Sequence, residues 1–354
     1  MNTEFNDILL QNNRRKKIFV VMLTLAILIA VILVFSIGLG KASITPSEVV
    51  KVLSGKILFK PELYDGVKEY KVAIIWDIRL PRILTGLIVG MGLSVAGSIF
   101  QALLMNPLAD PYTIGVSTGA AFGATIIIYL NLFISSVQIP IMPFAFIGAI
   151  LTLMIVMKIA NNSGIINSSN LIIAGIIVSS ILSAGISFLK NAAGEQVSVI
   201  VFWLMGSLAS KSWTHVVIAG PIIIVCILIA YFYSKDLDIL SLGDKDAKSL
   251  GVDVNKMRRI FLVLGSLITA ACVSVSGIIG FVGLVVPHII RFSLTTRNKS
   301  LIPLSALLGG LILMLADNLS RILFATEVPV GVLTTLLGGP FFIYIFNPFF
   351  SHLI

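Results

Sequence analysis

The sequence predicts an all-α, polytopic membrane protein of about ten transmembrane helices, forming one domain over residues 1–354. Three observations predict it. The chain is 57% hydrophobic and 12% charged, with a mean hydropathy of +1.06, whereas a soluble domain carries roughly 25% charged residues. Apolar runs of the ~20 residues needed to cross a bilayer recur along the chain. The remaining charges are gathered: Lys235 to Arg259 holds 11 of the 41 charged residues in 25 positions, with membrane-length apolar runs on both sides.

The first element follows Asn13-Arg-Arg-Lys-Lys17 and runs from Ile18 to Leu39. Its apolar run of 22 residues exceeds a signal-peptide core, so it reads as a helix that stays in the membrane with its basic flank in the cytosol. The other predicted helices are 80–105, 112–130, 141–160, 168–190, 214–233, 259–280, a short one at 282–293, 301–324 and 330–346, a helical bundle spanning 18–346. An even number places both termini in the cytosol, with the loops at 158–168, 235–258 and 291–300. Under this topology 14 Lys and Arg are cytosolic and 11 external, a weak asymmetry. Eight of the external ones lie between Lys41 and Arg82, so that outer surface is basic. Small residues inside the spans, such as Gly86, Gly90, Gly92, Ala96 and Gly97, suit close helix packing.

Composition also excludes function classes. Cys226 and Cys272 lie within apolar runs and read as small hydrophobes, and the three histidines lack ligand spacing, so neither metal nor cofactor is expected in this chain. No G-x-x-x-x-G-K-[ST] loop occurs, and no nucleophile stands with a base, so no ATPase site or other catalysis of its own is expected. The net charge of +9 fits cytosolic loops beside anionic lipid and carries no implication of nucleic acid.

Several motifs bear on function. In Lys235–Arg259, leucines at 237, 240, 242 and 250 alternate with charges, and Gly243 and Gly251 punctuate them. This predicts two short amphipathic helices with a glycine break. Such a pair is either a solvated connector or a docking element, and the regular leucines favour docking. Asn106-Pro-Leu-Ala-Asp-Pro111 forbids a continuous helix, and Asp110 before Pro111 is placed to cap the next one. Ser276 to Arg291 carries three glycines and Pro287, a backbone tolerated at membrane depth only where protein or water satisfies it. His288, next to that proline, reads as a structural residue rather than a proton carrier. Asp317 and Arg321 are spaced for an ion pair on one helix. Arg79-Leu-Pro-Arg82 opens the second helix on the external side, where arginines either snorkel to phosphates or meet a partner. Ser94-Val-Ala-Gly97 with Pro107 echoes Ser274-Val-Ser-Gly277 with Pro287, the pattern an inverted repeat would leave.

Taken in order, Arg79–Arg82, Gln101 with Asn106–Pro111, Trp203-Leu-Met-Gly-Ser-Leu208, Leu242–Gly251, Ser276–Arg291 and Glu327-Val-Pro-Val-Gly331 resemble the FecCD-type permease subunits of ABC importers, which take up iron-siderophores, haem and cobalamin. The similarity implies the fold of type II ABC importer permeases in the plasma membrane. It also implies a pathway between this chain and a second permease copy or homologue, a homodimer being expected. Two ATPase subunits would hydrolyse ATP below, and an extracytoplasmic substrate-binding protein would dock above. Residues 236–259 would be cytosolic coupling helices, with Leu242, Gly243, Asp244, Ala247, Leu250 and Gly251 as the coupling set. Arg79, Arg82 and Arg321 match positions that pair with glutamates of the binding protein, and Asn106, Pro107 and Leu108 match a cytosolic gate. A ferric siderophore is the expected cargo, haem or a cobalamin-like chelate the next. An ion-coupled secondary transporter is the rival reading, and it would need buried acidic relays that the spans scarcely contain. The lysines of the Lys41–Lys71 loop match no role in that family.

Overall fold

The structure is a computed structural model and describes residues 2–40, 42–134, 138–162, 165–323 and 327–346. Lys41 and residue 324, the expected end of the ninth span, lie outside the described residues. The elements in order are α1 (Asn2–Gly38), α2 (Pro46–Ile57), α3 (Glu69–Ala73), α4 (Leu80–Leu103), α5 (Val116–Phe133), α6 (Ile141–Ala160), β1 (Asn161–Asn162), β2 (Ile165–Ile166), α7 (Ser168–Ala192), α8 (Val197–Leu204), α9 (Trp213–Phe232), α10 (Ser234–Leu240), α11 (Asp244–Ser249), α12 (Val254–Ser276), α13 (Val282–Ser293), α14 (Asn298–Ile322) and α15 (Val330–Phe346).

Eight helices among the described residues are long and apolar enough to cross a membrane. They correspond to the eight long spans read from sequence, and α13 and α15 supply the two shorter members. The two-residue antiparallel ladder of β1 and β2 joins α6 to α7 and leaves the all-α class unchanged.

The boundaries shift for local reasons. The second span begins earlier than residue 80, because α3 continues through a π turn at Ile74–Arg79 into α4. Trp213 Nε1 donates to Trp76 O at 3.0 Å and holds that turn against the start of α9. The third span begins later than residue 112. Asp110 Oδ1 accepts from the Tyr112 and Thr113 amides at 3.1 and 3.0 Å, closing a separate turn before α5 starts at Val116. Thus Asp110 caps a turn rather than the helix itself. The seventh span ends at Ser276, because Gly277 adopts φ +70° and directs the chain away from the helix.

The repeat expected around Ser94 and Ser274 is not reflected in local structure. Ser94–Gly97 lies inside α4, whereas Ser274–Gly277 is the broken end of α12; Pro107 sits in a turn and Pro287 within α13.

Helix α4 is the axis of the bundle and is buried along almost its whole length. It packs against α9, α12, α13 and α14. A Cβ placed on Gly97 would lie 1.8 Å from Gly283 O, so these two backbones touch only because both positions are glycine. The outward faces of α7 and α9 expose Ile176, Ile181, Phe188, Val217, Leu228 and Phe232. An apolar surface of that extent marks contact with lipid or protein and is incompatible with water.

The bundle has two distinct ends. Arg14 of α1 donates to Leu294 O at 3.2 Å, and the Asn298 amide donates to Asp238 of α10 at 2.8 Å. The N-terminal part of α1, α10, and the α13–α14 loop therefore share one face. The far end of α1 meets Arg79 and Arg321 at the opposite face.

Candidate functional site

On the N-terminal face, Lys235–Arg259 forms the two short helices its pattern predicted. Leu237 and Leu240 are buried against the bundle, and Ala247 of α11 is wholly buried. Leu242 and Leu250 point the other way and are each 59% exposed. Gly243 (φ +105°) and Gly251 (φ +83°) turn the chain before and after α11 in conformations that L side chains rarely adopt. Asp244 accepts from both Arg258 Nη atoms, at 3.2 and 2.5 Å, and so ties α11 to α12. Asp238 Oδ1 accepts from Asn298 N and Nδ2, both at 2.8 Å, and so ties α10 to α14. Burial raises the Asp238 carboxyl above the ordinary carboxylate range, while the Asn298 bonds and the charge of Arg297 oppose that rise. The result is a rigidly seated helix pair that presents two leucines outward at considerable hydration cost. Covering one leucine is worth about 2 kcal/mol.

The turn after α4 lies on this same face. Asn106 Oδ1 accepts from the Leu108 amide at 2.9 Å and its backbone carbonyl accepts from Ala109 N at 3.0 Å, a compact Asx turn. Leu108 is 47% exposed at its tip, next to an exposed Pro107. Above it, Arg291 donates to Gln101 Oε1 and to Ser98 O, while Gln101 Nε2 donates to Leu284 O at 3.3 Å. This joins α4 to α13. Asp110, whose carboxyl is raised by burial against its bonds to Thr113 and Tyr112, borders a mostly apolar cavity of about 590 Å³. Met205, Ile278, Phe281 and Gly331 line that cavity.

On the opposite face the arginines of the two motifs converge. Arg82 Nη2 lies 2.9 Å from Asp317 Oδ1, and its Nη1 lies 2.8 Å from Glu327 Oε2. Arg321 Nε lies 3.4 Å from Asp317 Oδ2, the expected intrahelical pair. Arg79 Nη1 donates to Ile37 O and Gly38 O at 2.6 and 3.1 Å, and Arg321 Nη2 donates to Ser36 O at 3.2 Å. Two cations thus satisfy the last carbonyls of α1, where the helix dipole is negative. The arginine side chains are mostly covered, whereas that of Glu327 is 50% exposed. Lys211 enters the same neighbourhood, and burial, reinforced by the charge of Arg82, lowers its ammonium to about 8.

Sequence reading missed three features here. The bond between Arg82 and Glu327 joins residues 245 positions apart, so no local pattern announces it. Lys211 stands outside any motif. Helix α2 did have a legible signal: Thr45-Pro-Ser-Glu48 is a capping box with proline at its first position, and Thr45 N donates to Glu48 Oε2 at 2.8 Å.

A multi-pass helical bundle with a seated pair of short helices at one end and a cluster of mostly covered arginines at the other defines a membrane transport permease. The chain belongs to the FecCD transport family, whose model matches residues 27–347, and it is an ABC importer permease. It is 38% identical over 317 residues to the cobalamin import system permease protein BtuC of Halobacterium salinarum, covering 88% of this chain and 85% of that one. It is 33% identical over 324 residues to the molybdate import system permease protein MolB of Haemophilus influenzae, covering 91% and 94%. Among solved structures, a metal-chelate-type ABC transporter in an inward-facing conformation superposes with a TM-score of 0.78 at 32% identity, covering 91% of this chain and 96% of that one.

Proposed function

We propose that the chain moves a metal chelate, an iron-siderophore or a haem- or cobalamin-like complex, across the plasma membrane, driven by ATP hydrolysed in partner subunits. The observation that carries the reading is the pair α10 and α11, braced by Asp238–Asn298 and Asp244–Arg258 while Leu242 and Leu250 face outward. Bracing transmits a push, and exposed leucines need a cover. Residues 236–259 are then the coupling helices, with Gly243, Asp244, Ala247 and Gly251 shaping the contact. Both termini and this face are cytosolic, and one ATPase subunit sits under each of two permease copies.

In this reading Arg79, Arg82 and Arg321 form the docking surface for the extracytoplasmic binding protein. Together with Lys211 they exceed Asp317 and Glu327 by two positive charges, so an approaching carboxylate meets a favourable field. Half-exposed Glu327 is the group such a carboxylate would replace. Asn106, Pro107 and Leu108 form the gate where two copies meet. A chelate is favoured because the cobalamin relative and the solved metal-chelate-type transporter both name one, and the cavity beside Phe281 is apolar.

The test is capture of the tagged chain from its native membranes in mild detergent, with mass spectrometry of what accompanies it. An ATPase and a binding protein are expected, and L242D/L250D should lose the ATPase while keeping the binding protein. A clean chain free of any ATPase would overturn the assignment. A binding protein whose ligand is an oxyanion would overturn the chelate.

A further inference from the structure

A second site lies on the N-terminal face, away from α10 and α11, and it is independent of the importer's cargo. Arg14 and Arg15 of α1 and Arg297 and Lys299 at the start of α14 line one cavity of about 450 Å³, and among the described residues no carboxylate lines it. Among the described residues none of these four side chains forms an ion pair. Asp238 interacts electrostatically with Arg297, but it stands outside the lining and its Oδ1 is committed to Asn298. Four like charges converging from two helices repel one another unless an anion joins them.

The cavity also has depth and an apolar end. Its wall on α1 continues through Ile18 to Met22. From Arg15 to Met22 a helix rises about 10 Å, and the membrane-length run of α1 begins at Arg14. The basic mouth is therefore level with the polar boundary of the bilayer, and the apolar wall is level with the first carbons of an acyl chain. Tyr231 of α9 and Thr295 add hydroxyl groups at the lining. A free phosphate would use the mouth alone, whereas a phospholipid uses both ends.

We propose that this cavity is a binding site for an anionic phospholipid of the leaflet on the N-terminal face, its phosphate held by Arg15, Arg297 and Lys299 and its acyl chain laid along Ile18 and Met22. The charge pattern matches the headgroup and the apolar wall matches the chain. Its position gives it consequence: Arg14 and the lipid would together join α1 to the segment that leads into α14, whose first residue, Asn298, holds α10.

The experiment uses the purified full-length chain, with whatever subunits accompany it, in mixed micelles of equal phosphatidylglycerol and phosphatidylcholine. Native mass spectrometry reads the retained lipid. Wild type is expected to retain phosphatidylglycerol over phosphatidylcholine by about tenfold or more, and R15Q/R297Q/K299Q to fall to the bulk ratio. R297K/K299R, which keeps the charges, should keep the enrichment. Equal retention by wild type and the charge-removing variant would overturn the site. So would displacement of the lipid by millimolar inorganic phosphate, which would make it an ion site without a chain. A photoactivatable phosphatidylglycerol carrying its reactive group near the top of the acyl chain needs no variant to fold. Labelling concentrated on α1 near Met22 and on α14 near Pro303 supports the site. Labelling spread over the exposed faces of α7 and α9 in proportion to their area overturns it.

Discussion

Arg82 and Asp317 meet at 2.9 Å across α4 and α14 within the arginine cluster at the far end of α1, and the Asp317 side chain is only 3% exposed. A carboxylate so covered is tolerated because Arg82 and Arg321 both approach it. That arrangement changes what substitutions at Arg82 report. Arg82→Glu would set a third carboxylate against Asp317 and Glu327, so lost uptake in that variant would record a disturbed bundle as readily as lost docking. The informative comparison is a double-mutant cycle. Arg82→Ala is expected to destabilise the purified protein by about 3 kcal/mol, and R82A/D317N by clearly less than the sum of the single changes. Unfolding followed by tryptophan fluorescence checks it, and additive effects would refute the pairing.

Lys211 offers a cleaner probe of the same face. Its folded value of about 8 lies below the ordinary 10.5, so the unfolded chain binds the extra proton between those limits. Stability should therefore rise with pH from about 8 to 10.5 relative to Lys211→Met, by up to about 3 kcal/mol. Below pH 8 the wild-type penalty is fully present, and Lys211→Met should be the more stable protein. Competitive acylation of the amine as a function of pH measures the value directly, and a midpoint near 10.5 would contradict this placement.

Glu48 behaves with the opposite sign. Lys71, 2.7 Å away, and the Thr45 amide hold its carboxyl down at about 2. The capping it supplies to α2 is complete above about 4.5 and fades only as the pH falls toward 2. Amide exchange over Thr45–Val49 should be accelerated by Glu48→Gln at pH 6, and the difference from wild type should shrink at pH 2 to 3. An effect that persisted unchanged at low pH would mean that the carboxylate does not hold the cap.

Gly243, at φ +105° and ψ 161°, has nothing within 4 Å of where a Cβ would stand. Gly243→Ala is therefore penalised by backbone strain alone, about 1 to 3 kcal/mol. The expected result is faster proteolysis between α10 and α11 and reduced recovery of the ATPase subunit, with the bundle's thermal midpoint unchanged. A variant with normal recovery would show that the break can move without uncoupling the pair.

The exposed tip at Leu108 gives a test of the proposed gate. Oxidation of Leu108→Cys in membranes is expected to produce a cross-linked dimer that wild type does not form, since Cys226 and Cys272 are both buried. Failure of cysteines at 106, 107 and 108 alike to cross-link would remove the gate from the interface between copies.

The sequence by itself determined the class, the eight long spans and the pair of short helices α10 and α11. Each of those is set by a local quantity: the length of an apolar run, the spacing of leucines against charges, or the placement of a glycine. Capping of α2 belongs with them, since Thr45-Pro-Ser-Glu48 carries its own signal. Only the tertiary structure decided what the arginines do. Arg79 and Arg321 reach the carbonyls that end α1, and Arg82 reaches Asp317 and Glu327, because close helix packing brings distant segments together. It also decided that Arg15 and Arg297, far apart along the chain, share one cavity. Burial and long-range charge act through space, and no spacing along the chain encodes them.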